Sequence, residues 1–178
     1  MRRHIALLRG INVGGRNAVP MAELRALAEA LGWREVRSYI QSGNLVFDSE
    51  GATRALEAAL EEGIERRFGL KVPAMVRTAS AWAALLGSNP FAAEAEADPA
   101  KLMVGISKGD LRQGAAEAIE AKAAAGERVR EAGGALWFHY PEGAGRSKLT
   151  PALIDKAAGW PVTARNWRTA LALREMAG

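Results

Sequence analysis

Two stretches of this 178-residue chain combine glycine, amide side chains and positive charge in the way an anion-binding loop requires. The first, Gly10-Ile-Asn-Val-Gly-Gly-Arg-Asn17, has Arg9 immediately before it. Where a strand gives way to a helix, backbone N–H groups freed by glycine can converge on an anion. Arg9, Asn12, Gly14, Gly15 and Arg16 therefore form one candidate set. The stretch is neither a P-loop nor a dinucleotide fingerprint, because it lacks both the Gly-Lys-Ser/Thr ending and the G-x-G-x-x-G spacing. A plainer reading is a connection whose glycines only supply positive φ. The second stretch is Gly143-Ala-Gly-Arg-Ser-Lys-Leu-Thr-Pro151. Thr150 and Pro151 fit the N-cap and first position of a helix, which accounts for both without a ligand. Arg146, Ser147 and Lys148 remain, placing charge and a hydroxyl beside a positive helix end.

Two further segments supply polar candidates. Gln41, Ser42 and Asn44 crowd a turn around Gly43, which also suits a plain hairpin reversal. Arg165-Asn166-Trp167 reads as the end of a strand, so Arg165 and Trp167 share one face and Asn166 the other. An Arg beside a Trp suits stacking on a base and equally suits an interface between domains. No catalytic residue emerges. No G-x-S-x-G elbow occurs, and Ser42 or Ser147 would need a base that the sequence does not identify. His4 and His139 have no partner at metal-ligand spacing, and Cys is absent, so neither a metal, a cofactor nor a disulfide is expected.

Composition points to a globular chain. Charged residues make up 25% and mean hydropathy is -0.09, which sets aside disordered and collagen-like classes. No apolar run reaches the roughly 18 to 20 residues of a spanning helix, so a membrane partner is not expected and the cytoplasm is the default location. The net charge is +4, and 18 of the 24 cations are Arg, the side chain that grips phosphate or carboxylate bidentately. The excess collects in residues 1–37 and 146–168, whereas residues 50–69 are net acidic.

The elements that must position these loops follow from apolar spacing. Residues 4–11 form a short apolar run ending in Gly and Asn, and read as a strand. Leu24, Leu27 and Leu31 recur at helical spacing behind Pro20, with Gly32 as the stop. Residues 36–40 and 45–48 read as a hairpin, residues 53–68 as a helix carrying Leu56, Leu60 and Ile64, and residues 72–76 as a strand. The second half repeats the order, with strands at 102–106, 128–131, 135–140 and 162–167 and helices at 110–125 and 151–158. On residues 135–140, Leu136, Phe138 and Tyr140 share the core face, and Trp137 and His139 the other. RNA-binding sheets carry such aromatics, but this segment is not their motif, and packing of the aromatics between subdomains is the simpler expectation.

Two β-α-β-β-α-β halves make the chain α+β, with two ferredoxin-like (split βαβ) subdomains, antiparallel sheets, a linking helix at 79–87 capped by Ser80, and a C-terminal helix at 170–176. The subdomains are expected at 1–88 and 99–178, with a linker between. The first and third strands are taken as central, adjacent and parallel. That places the 14–15 loop and the 41–44 turn at opposite edges, where they can meet only across the interface of the two subdomains.

Three segments resemble a known family: Ile5-Ala-Leu-Leu-Arg-Gly-Ile-Asn-Val-Gly-Gly15 followed by Val19-Pro-Met-Ala-Glu-Leu24, then Tyr39-Ile-Gln-Ser-Gly-Asn44, then Ser147-Lys-Leu-Thr150 with Arg165-Asn-Trp167. Together they are similar to the bacterial family catalogued as domain of unknown function 1697. The resemblance spans nearly the whole chain and implies an α+β protein with two similar subdomains, but no assigned activity. Ala164 and Arg168 stand where the family usually has Thr and Asn, and Asp155 where it usually has Glu. The reading favoured by the residues is binding of a phosphorylated ligand, nucleic acid or nucleotide, through the basic Gly-rich loops. The alternatives are a small-molecule enzyme with its site in the cleft between subdomains, and a protein-interaction scaffold.

Overall fold

The apolar runs become strands and the four-residue apolar spacings become helices in the computed structural model, which describes residues 1–178. The chain runs β1 (Arg2–Leu8), α1 (Met21–Ala30), β2 (Arg34–Tyr39), β3 (Asn44–Ser49), α2 (Thr53–Phe68), β4 (Ala74–Thr78) and α3 (Ala79–Gly87). It continues through α4 (Ala92–Ala97), β5 (Leu102–Ser107), α5 (Ala115–Glu120), β6 (Arg128–Ala132), β7 (Ala135–His139), α6 (Pro151–Ala158), β8 (Val162–Asn166) and α7 (Trp167–Ala177). Two four-stranded antiparallel sheets result, ordered β2-β3-β1-β4 and β6-β7-β5-β8. Both are the split βαβ arrangement expected from the repeated element order.

Two compact units form, Met1–Trp82 with Leu173–Gly178, and Ala83–Ala172. Composition alone draws the division at 88–99, several residues later. Local contacts explain the difference: in the second unit Leu85 and Ser88, at the end of α3, pack against the backbone of Gly133, and in the first unit Arg37 donates to the carbonyl of Met176.

In the first unit Leu8, Leu45 and Phe47 of the sheet close on Leu24 and Leu27 of α1 and on Leu56, Leu60 and Ile64 of α2. Trp33 stacks on Phe47 with ring centroids 3.9 Å apart. In the second unit Leu136, Phe138 and Tyr140 pack with Ile119 of α5 and Ile154 of α6. Trp137, on the opposite face of β7, is fully buried, donates from Nε1 to the carbonyl of Ala132 at 3.0 Å and meets the Trp167 ring at 5.9 Å.

Carboxylates on the helices occupy the outward N–H groups of three of the four edge strands. Glu61 accepts from Ala74 and Glu57 from Val76 on β4, both at 2.8 Å. Glu120 accepts from Val129 on β6 at 2.8 Å, and Asp155 from Val162 on β8 at 3.0 Å. Capped in this way, an edge offers fewer free donors to an incoming strand.

Several element boundaries differ from those read in the sequence. The helix expected over 110–125 is confined to Ala115–Glu120, because Gly114 enters at φ 79° and the N–H groups of Ala124 and Ala125 turn aside to Glu127 Oε2 at 3.1 and 2.8 Å. The stretch 91–98, expected as linker, contains α4, whose Glu94 pairs with Arg128 at 2.6 Å. The hydroxyl that caps α3 is that of Thr78, not Ser80, and it accepts from Ala81 N–H at 3.1 Å. Thr150 caps α6 as expected, accepting from Leu153 N–H at 3.3 Å ahead of Pro151.

Candidate functional site

β1 ends at Leu8, and the following loop builds a small ribbon of its own. Val13 and Arg16 form an isolated antiparallel bridge, with Arg16 N–H donating to the Val13 carbonyl at 2.9 Å. Gly14 and Gly15 between them have φ of 56° and 74°. Two consecutive positive φ values are what the tight primed hairpin turn demands. A Cβ at either glycine would meet nothing within 4 Å, so conformation rather than close approach requires glycine here. Val13, Gly14, Gly15, Arg16 and Asn17 are all exposed, and Arg9 is half-buried where the loop leaves β1.

The base of the ribbon is locked by asparagines. Asn12, in the left-handed region at φ 54°, donates from Nδ2 to the carbonyls of Val19 at 2.9 Å and Gln41 at 2.8 Å. Its Oδ1 accepts from Val19 N–H at 2.8 Å. Asn17, also left-handed, donates to the Gly10 carbonyl at 2.9 Å. Asn12 is thus a clamp whose polar atoms are engaged with backbone.

The Asn12–Gln41 bond corrects the expectation that the Gly-rich loop and the 41–44 turn lie at opposite edges. β1 and β3 are antiparallel, with Leu7 paired to Asn44, so the exit of β1 and the β2–β3 turn share one end of the first sheet. Leu8 N–H donates to the Gly43 carbonyl at 2.8 Å. Within the turn, buried Asn44 donates from Nδ2 to the Tyr39 carbonyl at 2.8 Å and to Ser42 Oγ at 2.9 Å, and Gln41 is exposed.

Two residues missed in the sequence also lie at this end. Val13, next to Asn12, is 63% exposed, and Ile40, next to Gln41 and left-handed at φ 49°, is 51% exposed. The available signal was an aliphatic residue inside each Gly/Asn-rich turn, where burial has no reason to be.

In the second unit, Arg146 and Lys148 are exposed on either side of Ser147. The Ser147 hydroxyl donates to Glu127 Oε1 at 2.8 Å and accepts from Leu149 N–H at 3.2 Å, so it orders the loop. Glu127 is 4% exposed. Backbone N–H bonds, led by that from Ala125, together with the Ser147 hydroxyl hold its carboxyl below the usual glutamate range. Desolvation, assisted by this carboxylate, pushes the Tyr140 phenol up to about 12. A depressed native pKa stabilises the fold above the ordinary glutamate value, and this contribution disappears as pH falls through the native pKa. Glu127→Gln should therefore lower the urea midpoint at pH 7, with the gap to the unaltered protein narrowing as pH falls below the ordinary glutamate range. A gap that does not narrow as the pH is lowered would contradict the assignment.

Arg165, expected to share one strand face with Trp167, is 7% exposed. It donates to Thr163 Oγ1 at 2.7 Å and to the Ala164 carbonyl at 2.9 Å. Burial brings its guanidinium down to about 10, still charged at neutral pH. The strand stops at Asn166, whose Oδ1 accepts from Thr169 N–H at 2.9 Å and caps α7, and Trp167 opens that helix. The shared-face alternation therefore does not extend to Trp167. His4 is buried beside Phe47 and His139 lies near Phe91, and burial pulls both imidazoles below their usual value. No group of three or more His, Asp or Glu is placed to hold a metal ion, and no helix is long and apolar enough to cross a membrane.

A conserved bacterial protein of Streptococcus pneumoniae with a solved structure is similar to this chain at 27% identity, with 99% of each chain covered and a TM-score of 0.78. No curated protein matches. The family described as a protein of unknown function, DUF1697, matches residues 1–137 and includes both the clamped ribbon and the turn it holds. The chain belongs to that family.

Proposed function

We propose that this protein binds a phosphorylated ligand through the basic end of its first unit, and that the ligand is nucleic acid rather than a free nucleotide. The observation that supports the reading most is the clamped ribbon. Asn12 and Asn17 fix a projecting hairpin that presents Arg16 at its foot, with Arg9 at the strand exit. No acidic residue occurs from Arg9 to Ala22 or from Tyr39 to Phe47, the ribbon and the turn it holds, and Glu61, behind the strand exit, is engaged by Ala74 N–H at 2.8 Å. An exposed ribbon that sets the Arg16 cation opposite the aliphatic Val13 suits a polymer, whose backbone offers many phosphates. A free nucleotide would instead favour a concave site that covers most of its surface. Arg146 and Lys148 of the second unit are the second set of cations in this reading, while the Ser147 hydroxyl serves the loop itself.

The test is an Arg16→Ala, Arg146→Ala double variant titrated with single-stranded RNA, duplex DNA and a nucleotide panel at two salt concentrations. Both side chains are exposed, so the variant should stay folded. The unaltered protein is expected to bind a polynucleotide with a steep salt dependence, and the variant's log–log slope should be shallower by about 0.7 to 0.9 for each phosphate no longer neutralised by an arginine. Equal binding by both proteins at both salt concentrations, or no binding by either, would overturn the reading.

A further inference from the structure

In the second unit, α5 and α6 lie side by side and run in opposite directions: Arg112 N–H, just ahead of α5, donates to the carbonyl of Ala158 at the end of α6 at 3.0 Å. Their outer surface forms an open groove of about 570 Å³. Ala118, Leu153 and Ala157 give it an apolar floor, and Arg112, Lys122 and Lys156 are the charged residues lining it, with no carboxylate among them.

The cations are divided between the two ends of the groove. Arg112 is held against the end of α6, where its Nη1 donates to the Lys156 carbonyl at 3.2 Å and its guanidinium lies over Gly159. Lys156 lies on that same half of α6. Lys122 lies beyond the last residue of α5, at the opposite end. The six residues of α5 span roughly 9 Å, so positive charge brackets an apolar stretch of about two helical turns. A small amphiphile with one acidic head would satisfy one end only.

We infer that this groove is a docking site for an amphipathic helix of a partner protein, one with an apolar stripe flanked by carboxylates about two turns apart. The alanines on the floor let a third helix approach closely, and the rim cations pair with its acidic residues. This site is separate from the ribbon of the first unit and does not depend on the ligand proposed there.

The experiment uses the full chain and defined probes. They are a labelled 14-residue amphipathic peptide with Glu flanking a Leu/Ala stripe, the same peptide with Lys for Glu, a scrambled peptide of the acidic composition, and dodecanoate. Fluorescence anisotropy gives affinity, and methyl resonances of Ala118, Leu153 and Ala157 report the place of binding. The acidic amphipathic peptide alone should bind and shift those methyls. Lys122→Glu with Lys156→Glu should weaken it by at least about tenfold, and the Gln pair by less. Ala118→Arg, which fills the floor, should abolish binding while circular dichroism stays unchanged. The proposal is overturned if the acidic peptide does not bind at millimolar concentration, if the scrambled or Lys peptide binds as well, or if the charge reversal has no effect. Dodecanoate shifting the methyls where the peptide does not would also overturn it, by assigning the groove to a small amphiphile.

Discussion

Gly43→Ala is expected to destabilise the first unit by about 3 kcal/mol, from left-handed strain of about 1 to 2 together with an overpacking cost of about 1 to 3. Gly43 is buried at φ +84°, a conformation that L residues rarely adopt. A Cβ there would lie 2.7 Å from Ile11 Cδ1 and 2.8 Å from Leu8 Cβ. The Leu8 contact is the more severe, because Leu8 is tied to the Gly43 carbonyl by its own N–H at 2.8 Å and its Cβ cannot swing away as a side-chain tip could. Urea unfolding followed by tryptophan fluorescence should register the loss, since Trp33 lies in the same core. A loss below about 1 kcal/mol would mean that the turn is free to move off β1.

Asn12→Ala should cost about 3 to 4 kcal/mol, because three hydrogen bonds worth about 1 kcal/mol each disappear and alanine pays more than asparagine for the left-handed backbone. The Val19 N–H and the carbonyls of Val19 and Gln41 would all lose their partner. Asn12→Asp should be no better than Ala: it keeps an acceptor for Val19 N–H but sets a carboxylate against two carbonyl oxygens. Both variants should also weaken polyanion binding while leaving Arg9 and Arg16 intact, because the ribbon loses its fixed base. Denaturation and binding titrations on the same preparations check the two effects together. An Asn12→Ala protein with unaltered stability and affinity would show that the amide does not act as a clamp.

Much of the frame is legible in the sequence because it rests on local signals. Leu56, Leu60 and Ile64 repeat every four residues, Thr150-Pro151 starts a helix, and the repeated element order leaves the split βαβ arrangement as the simplest solution. The direction of β3 is derivable too, and taking it as parallel to β1 is an error of topology. A right-handed crossover makes β2 parallel to β1, and the hairpin then makes β3 antiparallel to both, which carries the 41–44 turn to the end where β1 exits. What the sequence does not reveal depends on contacts between distant residues. Nothing near Asn12 announces that its amide reaches Gln41, twenty-nine positions away. Nothing near Ala124 announces that Glu127 captures two backbone N–H groups and stops a helix whose composition would have continued it. Arg165 shows the same limit: alternation gives its face on the strand, while its burial follows from the surrounding fold.

The central claim is that the clamped ribbon and its neighbouring turn form one polyanion-binding end of the first unit. Amide chemical-shift mapping during titration with a short single-stranded RNA tests it most directly, because it reports place as well as affinity. The predicted result is a contiguous set of shifts over Arg9 to Asn17 and Ile40 to Asn44 that saturates and fades with added salt. Shifts that avoid both segments, or none at any RNA concentration, would contradict it.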